Sequence, residues 1–355
     1  MDAKITKLRL SRMLSYDWFK IVLAAAGLIV VWLLVFTMTG TAITPSQKFT
    51  VMNYVGNVAF SEEFNKKYNS AFFNNTFSYE VIETSTVDLA ANESMAFELL
   101  LARTTVEEGD VIFISDEHEL VATNNFVETS NGTSYVYEKG DNYLDQFVSN
   151  NRGSLFDINV YLTNLETFLN RYYGDYKTVE EPDEQQIRLD FNFRTKKDKR
   201  FRKATARELG VQGEIARIKK YREALIKFNW YRAEKIVDVT ETVVEDFYAD
   251  GQEFRGTYAI NLCPSLDKGG RKDVYDATKP AMHKLKAAVA YYPVVADSEI
   301  GFKREMTLDA QTAENMNVCL FDFKGVADTF EYESLCYIVY MIDEYSSVKY
   351  ETNNA

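Results

Sequence analysis

Cysteine and proline are scarce in this chain of 355 residues, and each shortage excludes a class of protein. The three cysteines, Cys263, Cys319 and Cys336, are an odd number, which rules out a full disulfide framework. One bridge with a free thiol, or three buried thiols, remain open. We expect buried thiols, because unpaired cysteine behaves as a small hydrophobic residue. Five prolines and no long Gly/Ser tract indicate no flexible interdomain linker.

The sequence motifs of common catalytic sites are also missing. There is no G-x-S-x-G elbow, Walker loop, G-x-G-x-x-G, H-E-x-x-H or Cys-x-x-Cys. Of the two histidines, His118 lies in the run Asp116-Glu117-His118-Glu119, which can be read as a divalent-metal site or as a solvated loop. Because adjacent side chains rarely converge on one ion, we predict no metal site. Because no catalytic motif is found, we predict no cofactor and no enzymatic activity.

Negative charge predominates, but one segment reverses it. The net charge of −13 argues against nucleic acid as a partner. Residues Arg194–Lys235 hold 15 basic and 5 acidic residues, a net of +10, so the remainder carries −23. We predict that Lys196, Lys197, Lys199 and Arg200 contact an acidic partner or an anionic surface; the alternative is a solvated helical face.

One long uncharged apolar run is present, Ile21–Met38, preceded by a basic segment over residues 1–20. Eighteen such residues reach the length needed to cross a bilayer of about 30 Å, and the positive-inside rule places the N-terminus in the cytoplasm. The run therefore predicts a single-pass protein whose partner is the lipid bilayer and whose bulk is extracellular. The alternative is a signal peptide cleaved near Gly40 and Ala42, but the run is longer than the usual signal core.

After this run the chain alternates strand and helix patterns. Apolar segments at Phe49–Val55, Phe77–Thr84 and Asp110–Ser115 predict strands, and amphipathic segments between them predict helices. Such an order is typical of a parallel sheet covered on both faces, so the fold class is α/β. Residues 140–250, which include a helix at Leu155–Tyr173, are predicted to be mainly helical, and helices are also predicted from Ser61 and at Asp276–Ala290.

Four segments carry a resemblance to a known family: FTVMNYVGN, FSYEVIET, EEGDVIFIS and TYAINLCP. In their order they resemble the extracellular solute-binding proteins of ABC importers, which have the type 2 periplasmic-binding fold. The resemblance implies α/β lobes built from residues 48–120 and 257–345, a cleft between two lobes, and a transporter permease as partner. The family's usual lipid-modified cysteine is missing here, and the predicted transmembrane helix takes its place.

Four residues at the ends of predicted strands are the candidates for ligand binding: Tyr54, Asn57, Asp116 and Asn261. Ligands of open α/β sheets bind beyond the carboxyl ends of strands. We therefore predict non-covalent capture of a small solute, such as a sugar. The second hypothesis is a non-catalytic structural or interaction subunit of a cell-envelope complex, with the basic segment as its docking surface.

Overall fold

The computed structural model describes residues 18–39, 47–54, 58–60, 83–89, 95–246, 252–271, 288–323 and 332–350, with six further single positions. The chain divides into two units, Met1–Thr44 and Pro45–Ala355. Every residue of the two hydrophobic cores belongs to the second unit, so we expect residues 45–355 to fold without the first 44.

The first unit contains helix α1, Trp18–Thr39, with exposed apolar side chains. Among the residues that the structure describes, none of the helices has both the length and the apolar character required to cross a membrane. The predictions of a transmembrane helix at Ile21–Met38, a single-pass topology and an extracellular domain are therefore wrong.

A six-stranded sheet organises the second unit. In spatial order its strands are β3 (Glu83–Asp88), β1 (Lys48–Asn53), β4 (Val111–Ser115), β12 (Met316–Leu320), β8 (Gln252–Asn261) and β7 (Asp238–Asp246). Strands β3, β1 and β4 run parallel, whereas β12 is antiparallel to both β4 and β8. Strand β8 therefore runs in the same direction as β4, and the carboxyl ends of β1, β4 and β8 share one edge.

Three smaller pairings complete the strands. They are the hairpin of β5 (His118–Thr129) with β6 (Gly132–Asn142), the pair β10 (Val294–Asp297) with β11 (Gly301–Arg304), and the pair β2 (Val58–Phe60) with β9 (Val289–Tyr291). Strand β6 is also hydrogen-bonded to the residue before β11, since the Tyr137 N–H donates to the Ile300 carbonyl at 2.8 Å.

Helices cover both faces of the large sheet, as the strand pattern predicts. The helices are α2 (Ala96–Thr105), α3 (Tyr143–Asn151), α4 (Ile158–Tyr173), α5 (Glu184–Arg194), α6 (Ala204–Ala233) and α7 (Glu333–Tyr345). One core joins α4, α6 and α7 to the sheet through Phe113 and Val318, and the other joins α2 and α3 through Ile112 and Cys319. The alternation of side chains along a strand explains this division, since neighbours point to opposite faces.

The prediction of two lobes is also wrong. Strands β1 and β4, from the predicted first segment, and β8 and β12, from the predicted last segment, belong to one sheet. The physical reason is that β12 pairs with β4 on one side and with β8 on the other, which buries all five of its residues. Cys263, Cys319 and Cys336 are buried and form no disulfide bond, as predicted.

Local signals explain how α4 is placed. The side chain of Asp157 caps the helix by accepting the Asn159 and Val160 N–H groups at 3.0 and 3.1 Å, and Gly174 ends it at φ +73°. The same carboxylate accepts the Thr257 hydroxyl at 2.8 Å and N–H at 3.1 Å. One side chain therefore starts the helix and attaches it to β8.

Asp110 makes folding sensitive to pH at the opposite edge of the sheet. Its Oδ2 accepts the Thr50 N–H at 2.7 Å beside the start of β4. Burial raises the pKa of Asp110 to about 7, the hydrogen bond from Thr50 opposes this, and the charge of Glu333 raises it further. The folded protein therefore holds this proton to a higher pH than the unfolded chain does.

We expect the free energy of unfolding to fall relative to that of the Asp110→Asn variant as the pH rises from about 4 to about 7, and then to level off. The unfolded chain releases the proton near its ordinary pKa, whereas the folded chain releases it only near 7. Each pKa unit corresponds to about 1.4 kcal/mol, and partial contact with solvent should reduce the total to about 2 kcal/mol.

Urea denaturation of both proteins across this pH range measures the difference. Asp297→Asn is the control, because backbone N–H groups of Glu299 and Ile300 lower the pKa of Asp297, so its contribution is lost only under more acidic conditions. Parallel profiles for wild type and Asp110→Asn would show that this carboxyl group ionises normally.

Candidate functional site

The carboxyl edge of the sheet includes its topological switch point. The chain passes from β1 to β3 on one side and then to β4 on the other, so the strand order reverses between β1 and β4. In open α/β sheets this point, outside the carboxyl ends of the strands, is where ligands bind. The residues that come after β4 and β8 and precede β12 meet there.

Five side chains form what we call the edge cluster: Asp116, Asn142, Asn261, Lys268 and Asn315. Asp116 lies at its centre, because its Oδ2 pairs with the Lys268 ammonium and its Oδ1 accepts the Asn142 Nδ2–H at 2.7 Å. Its own N–H donates to the Asn315 carbonyl at 3.3 Å. Both charged side chains of this ion pair remain partly exposed, so the pair is accessible from solvent.

Asn261 and Asn315 hold the cluster against the sheet. The Asn315 Oδ1 accepts the Asn261 Nδ2–H at 3.1 Å and the Ser265 N–H at 3.2 Å, and the Asn261 Oδ1 accepts the Cys263 N–H at 3.0 Å. Asn315 has a φ of +53°, a left-handed conformation that asparagine tolerates better than most residues. Asn261 is buried, so its role here is to fix the loop that carries Lys268.

The loop Cys263–Gly270 brings Lys268 to Asp116 from 152 positions away in the chain. Its backbone turns tightly, since the Gly270 N–H donates to the Ser265 carbonyl at 2.9 Å. A Cβ at Gly270 would lie 1.9 Å from the Pro264 carbonyl oxygen, so only glycine fits. Lys268 is not among the ligand residues predicted from the sequence. Its only local signal is the Gly269-Gly270 pair soon after a predicted strand.

Helix α3 contributes its N-terminus to the cluster. The Asn142 Oδ1 caps it by accepting the Leu144 and Asp145 N–H groups, while its Nδ2 donates to Asp116. Loss of hydration raises the pKa of Asp145, the charge of Asp116 raises it further, and His118 and Lys268 oppose the shift. The charges of Asp116 and Lys268 therefore both act on the Asp145 carboxyl group.

Negative charge exceeds positive charge around Lys268. Burial raises the pKa of Glu314, the charge of Asp267 adds to this, and Lys268 opposes it. One ammonium group thus acts on Asp116, Asp145 and Glu314 together. These carboxylates make the edge rich in hydrogen-bond acceptors.

Glu117 and His118, from the run that could also be read as a metal site, have structural roles. Glu117 is nearly buried, and its carboxylate accepts the His118 N–H at 2.8 Å and the Val294 N–H at 3.1 Å, which joins β5 to β10. The His118 Nδ1 donates to the Gly140 carbonyl at 3.0 Å, since a carbonyl oxygen can only accept. Among the described residues no group of three His, Cys, Asp or Glu side chains is placed to hold a metal ion.

The structure brings together two of the four predicted ligand residues. Asp116 and Asn261 both bond to Asn315. Tyr54 instead packs in the core, with its ring 4.9 Å from that of Phe147, and burial together with the charge of Glu119 raises its pKa. Asn57 lies outside the described residues.

The predicted basic surface lies elsewhere, at the junction of α5 and α6. Lys196, Lys197 and Lys199 are exposed there. Arg200 instead bonds through its Nε and Nη2 to the Asp198 carboxylate at 2.9 and 2.8 Å.

Protein-family models, curated proteins and solved structures were all compared with this chain, and none of the three comparisons finds a match. The resemblance to solute-binding proteins of ABC importers thus gains no support from them. Any function of this chain must therefore be inferred from the geometry of the edge cluster and of the α5–α6 junction.

Proposed function

We propose that the protein binds a small polar solute, such as a sugar, non-covalently at the edge cluster. The observation that carries this proposal is the partly exposed Asp116–Lys268 ion pair, placed with Asn142 and Asn315 at the switch point of the sheet. The carboxylate and the ammonium offer both acceptors and donors to one ligand. Specificity of small-molecule sites depends on a few polar groups of this kind.

The excess of acceptors favours a ligand rich in hydrogen-bond donors. Hydroxyl groups can donate to Asp116, Asp145 and Glu314 and accept from Lys268, which matches a polyhydroxylated solute. Binding of this kind needs no covalent step, and we propose no catalytic role for the cluster. Because most of the cluster is fixed by its own hydrogen bonds, little side-chain ordering is required when a ligand binds.

A thermal-shift screen of residues 45–355 against sugars and other small polar solutes tests the proposal. A ligand at 100 times its Kd stabilises the folded protein by about 2.7 kcal/mol, which for this size corresponds to a shift of about 5 °C. We expect Asp116→Asn with Lys268→Met to abolish the shift given by the best ligand. Removing both members of the pair avoids leaving a lone charge.

The chain offers a matched control in the Asp297–Lys303 pair, which joins β10 to β11 at 3.1 Å with similar exposure. Asp297→Asn with Lys303→Met makes the same chemical change away from the edge cluster and should leave the shift intact. If the Asp116–Lys268 variant keeps its affinity, or if no solute shifts the wild type, solute binding at this edge is refuted.

A further inference from the structure

A second surface, independent of the edge cluster, lies where α5 gives way to α6. The connection includes a short 3-10 turn, Lys199–Phe201. Phe201 is buried with its ring 5.0 Å from Phe191, and both rings press on Gly210, where a Cβ would come within 2.4 Å of Phe191. The corner is therefore held by packing, and the residues around it have defined positions.

The α5–α6 connection carries five exposed cations. They are Lys196, Lys197, Lys199, Arg202 and Lys203, which are exposed and form no ion pair with any carboxylate that the structure describes. Nearby arginines differ, because Arg188 pairs with Glu208, Arg194 with Glu214 and Arg200 with Asp198. Positive charge is thus concentrated in the connection itself.

The start of α6 adds to this positive potential. The helix has 30 residues, and its N-cap residue Lys203 makes no side-chain capping bond. Its first turn contains no acidic residue. The unbonded N–H groups and the helix dipole therefore reinforce the field of the lysines.

Apolar side chains project from the same corner. Phe193 is 85% exposed, Leu209 is 74% exposed and Leu189 is 65% exposed. Each lies on the solvent side of its helix, because Ile187 and Phe191 of α5 and Gly210 and Val211 of α6 are buried. The bidentate contact of Arg188 with Glu208 holds these outer sides next to each other.

We propose that the α5–α6 corner docks on an anionic phospholipid surface, with the five free cations at the headgroups and Phe193 among the upper acyl chains. Basic residues beside exposed aromatic and aliphatic side chains are the pattern of interfacial membrane binding. An acidic protein partner would need a pocket for a side chain as prominent as Phe193, whereas a bilayer accepts a projecting ring. This docking needs no membrane-spanning helix and does not depend on the proposed solute site.

Sedimentation of residues 45–355 with vesicles tests the proposal. This fragment holds both hydrophobic cores and lacks α1, so α1 cannot account for any binding. We expect binding to phosphatidylcholine vesicles containing about 30% phosphatidylserine, little binding to phosphatidylcholine alone, and weaker binding as salt increases. Replacing Lys196, Lys197 and Lys199 by glutamine should weaken binding by about a hundredfold, since each lysine near an anionic surface contributes about fivefold.

Glutamine at Lys177, Lys219 and Lys303 makes the same change of net charge elsewhere on the surface and should leave vesicle binding unchanged. Phe193→Ser should weaken binding by about tenfold, whereas Leu308→Ser, at another exposed apolar side chain, should have no effect. Circular dichroism and the thermal midpoint of each variant establish that it is folded.

Equal binding to neutral and anionic vesicles, or unchanged binding by the Lys196, Lys197 and Lys199 variant, would overturn the proposal. So would capture of an acidic protein by this corner without any binding to vesicles. The two proposals fail separately, because the thermal shift with a solute should not respond to these lysines.

Discussion

Replacing Arg217 by methionine is expected to lower the free energy of unfolding by about 3–5 kcal/mol, because it removes the buried cation that faces the carboxylates of Glu214 and Glu333. Arg217 lies on α6 and is fully buried. Its Nη2 pairs with Glu214 Oε1, its Nε bonds to Glu214 Oε2 at 3.2 Å, and its Nη1 bonds to the Tyr221 hydroxyl at 3.3 Å. The guanidinium thus satisfies groups that water does not reach.

The network extends from α6 to α7. The Tyr221 hydroxyl donates to Glu333 Oε1 at 3.0 Å, and Glu333 is itself buried. The pKa of Tyr221 is raised well above its ordinary value, first by burial and then by the charge of Glu333. Without Arg217, Glu214 retains the contact with Arg194 at 2.9 Å, but Glu333 loses the opposing charge of Arg217.

Urea denaturation compares Arg217→Met with two further variants. Adding Glu333→Gln should recover part of the lost stability, because it removes the charge that has become uncompensated. Arg188→Met breaks the exposed pair with Glu208 and should change stability by less than about 1 kcal/mol. If Arg217→Met costs no more than Arg188→Met, the buried network does not stabilise the fold.

Phe113→Ala is expected to lower the free energy of unfolding by about 3–5 kcal/mol, because it leaves a cavity at the centre of the sheet. Phe113 is completely buried in β4, where it lies opposite Asn53 of β1 and Val318 of β12. Its ring meets that of Tyr337 on α7 edge to face, with centroids 6.5 Å apart. Neighbours on both strands and on the helix limit how far the site can collapse.

Phe126→Ala is the control, since Phe126 is exposed on the β5–β6 hairpin and pairs with Tyr135 at 4.5 Å. Loss of one exposed cross-strand pair should cost about 1 kcal/mol or less. The midpoint of urea denaturation separates the two variants. A small effect of Phe113→Ala would contradict the central position of β4.

Part of the fold could be predicted from local patterns alone. The strand predicted at Asp110–Ser115 is present as Val111–Ser115, and the helix predicted at Leu155–Tyr173 is present as Ile158–Tyr173. In both cases short-range physics decides the structure: an apolar run bounded by charge, and a helical apolar stripe that ends at glycine. The helix predicted from Ser61 lies outside the described residues.

The β5–β6 hairpin could not be predicted in this way. Side chains on both of its faces are exposed or half-buried, so no apolar alternation in the sequence marks its strands. The segment Asp276–Ala290 is predicted to be helical. Leu285 and Ala288 are helical, but the last two residues belong to strand β9. These residues form a strand because they pair with β2, which is distant in sequence.

The sequence by itself determined short-range features: strand β4, helix α4, the three buried thiols and the basic segment within an acidic chain. Only the tertiary structure decided that β12 lies between β4 and β8, which unites the two predicted lobes and brings Lys268 to Asp116. It also decided which cations near Lys196 are free and which are paired. The physical reason is that local propensity acts over a few residues, whereas strand pairing and ion pairing across 152 positions depend on how the whole chain buries its apolar surface.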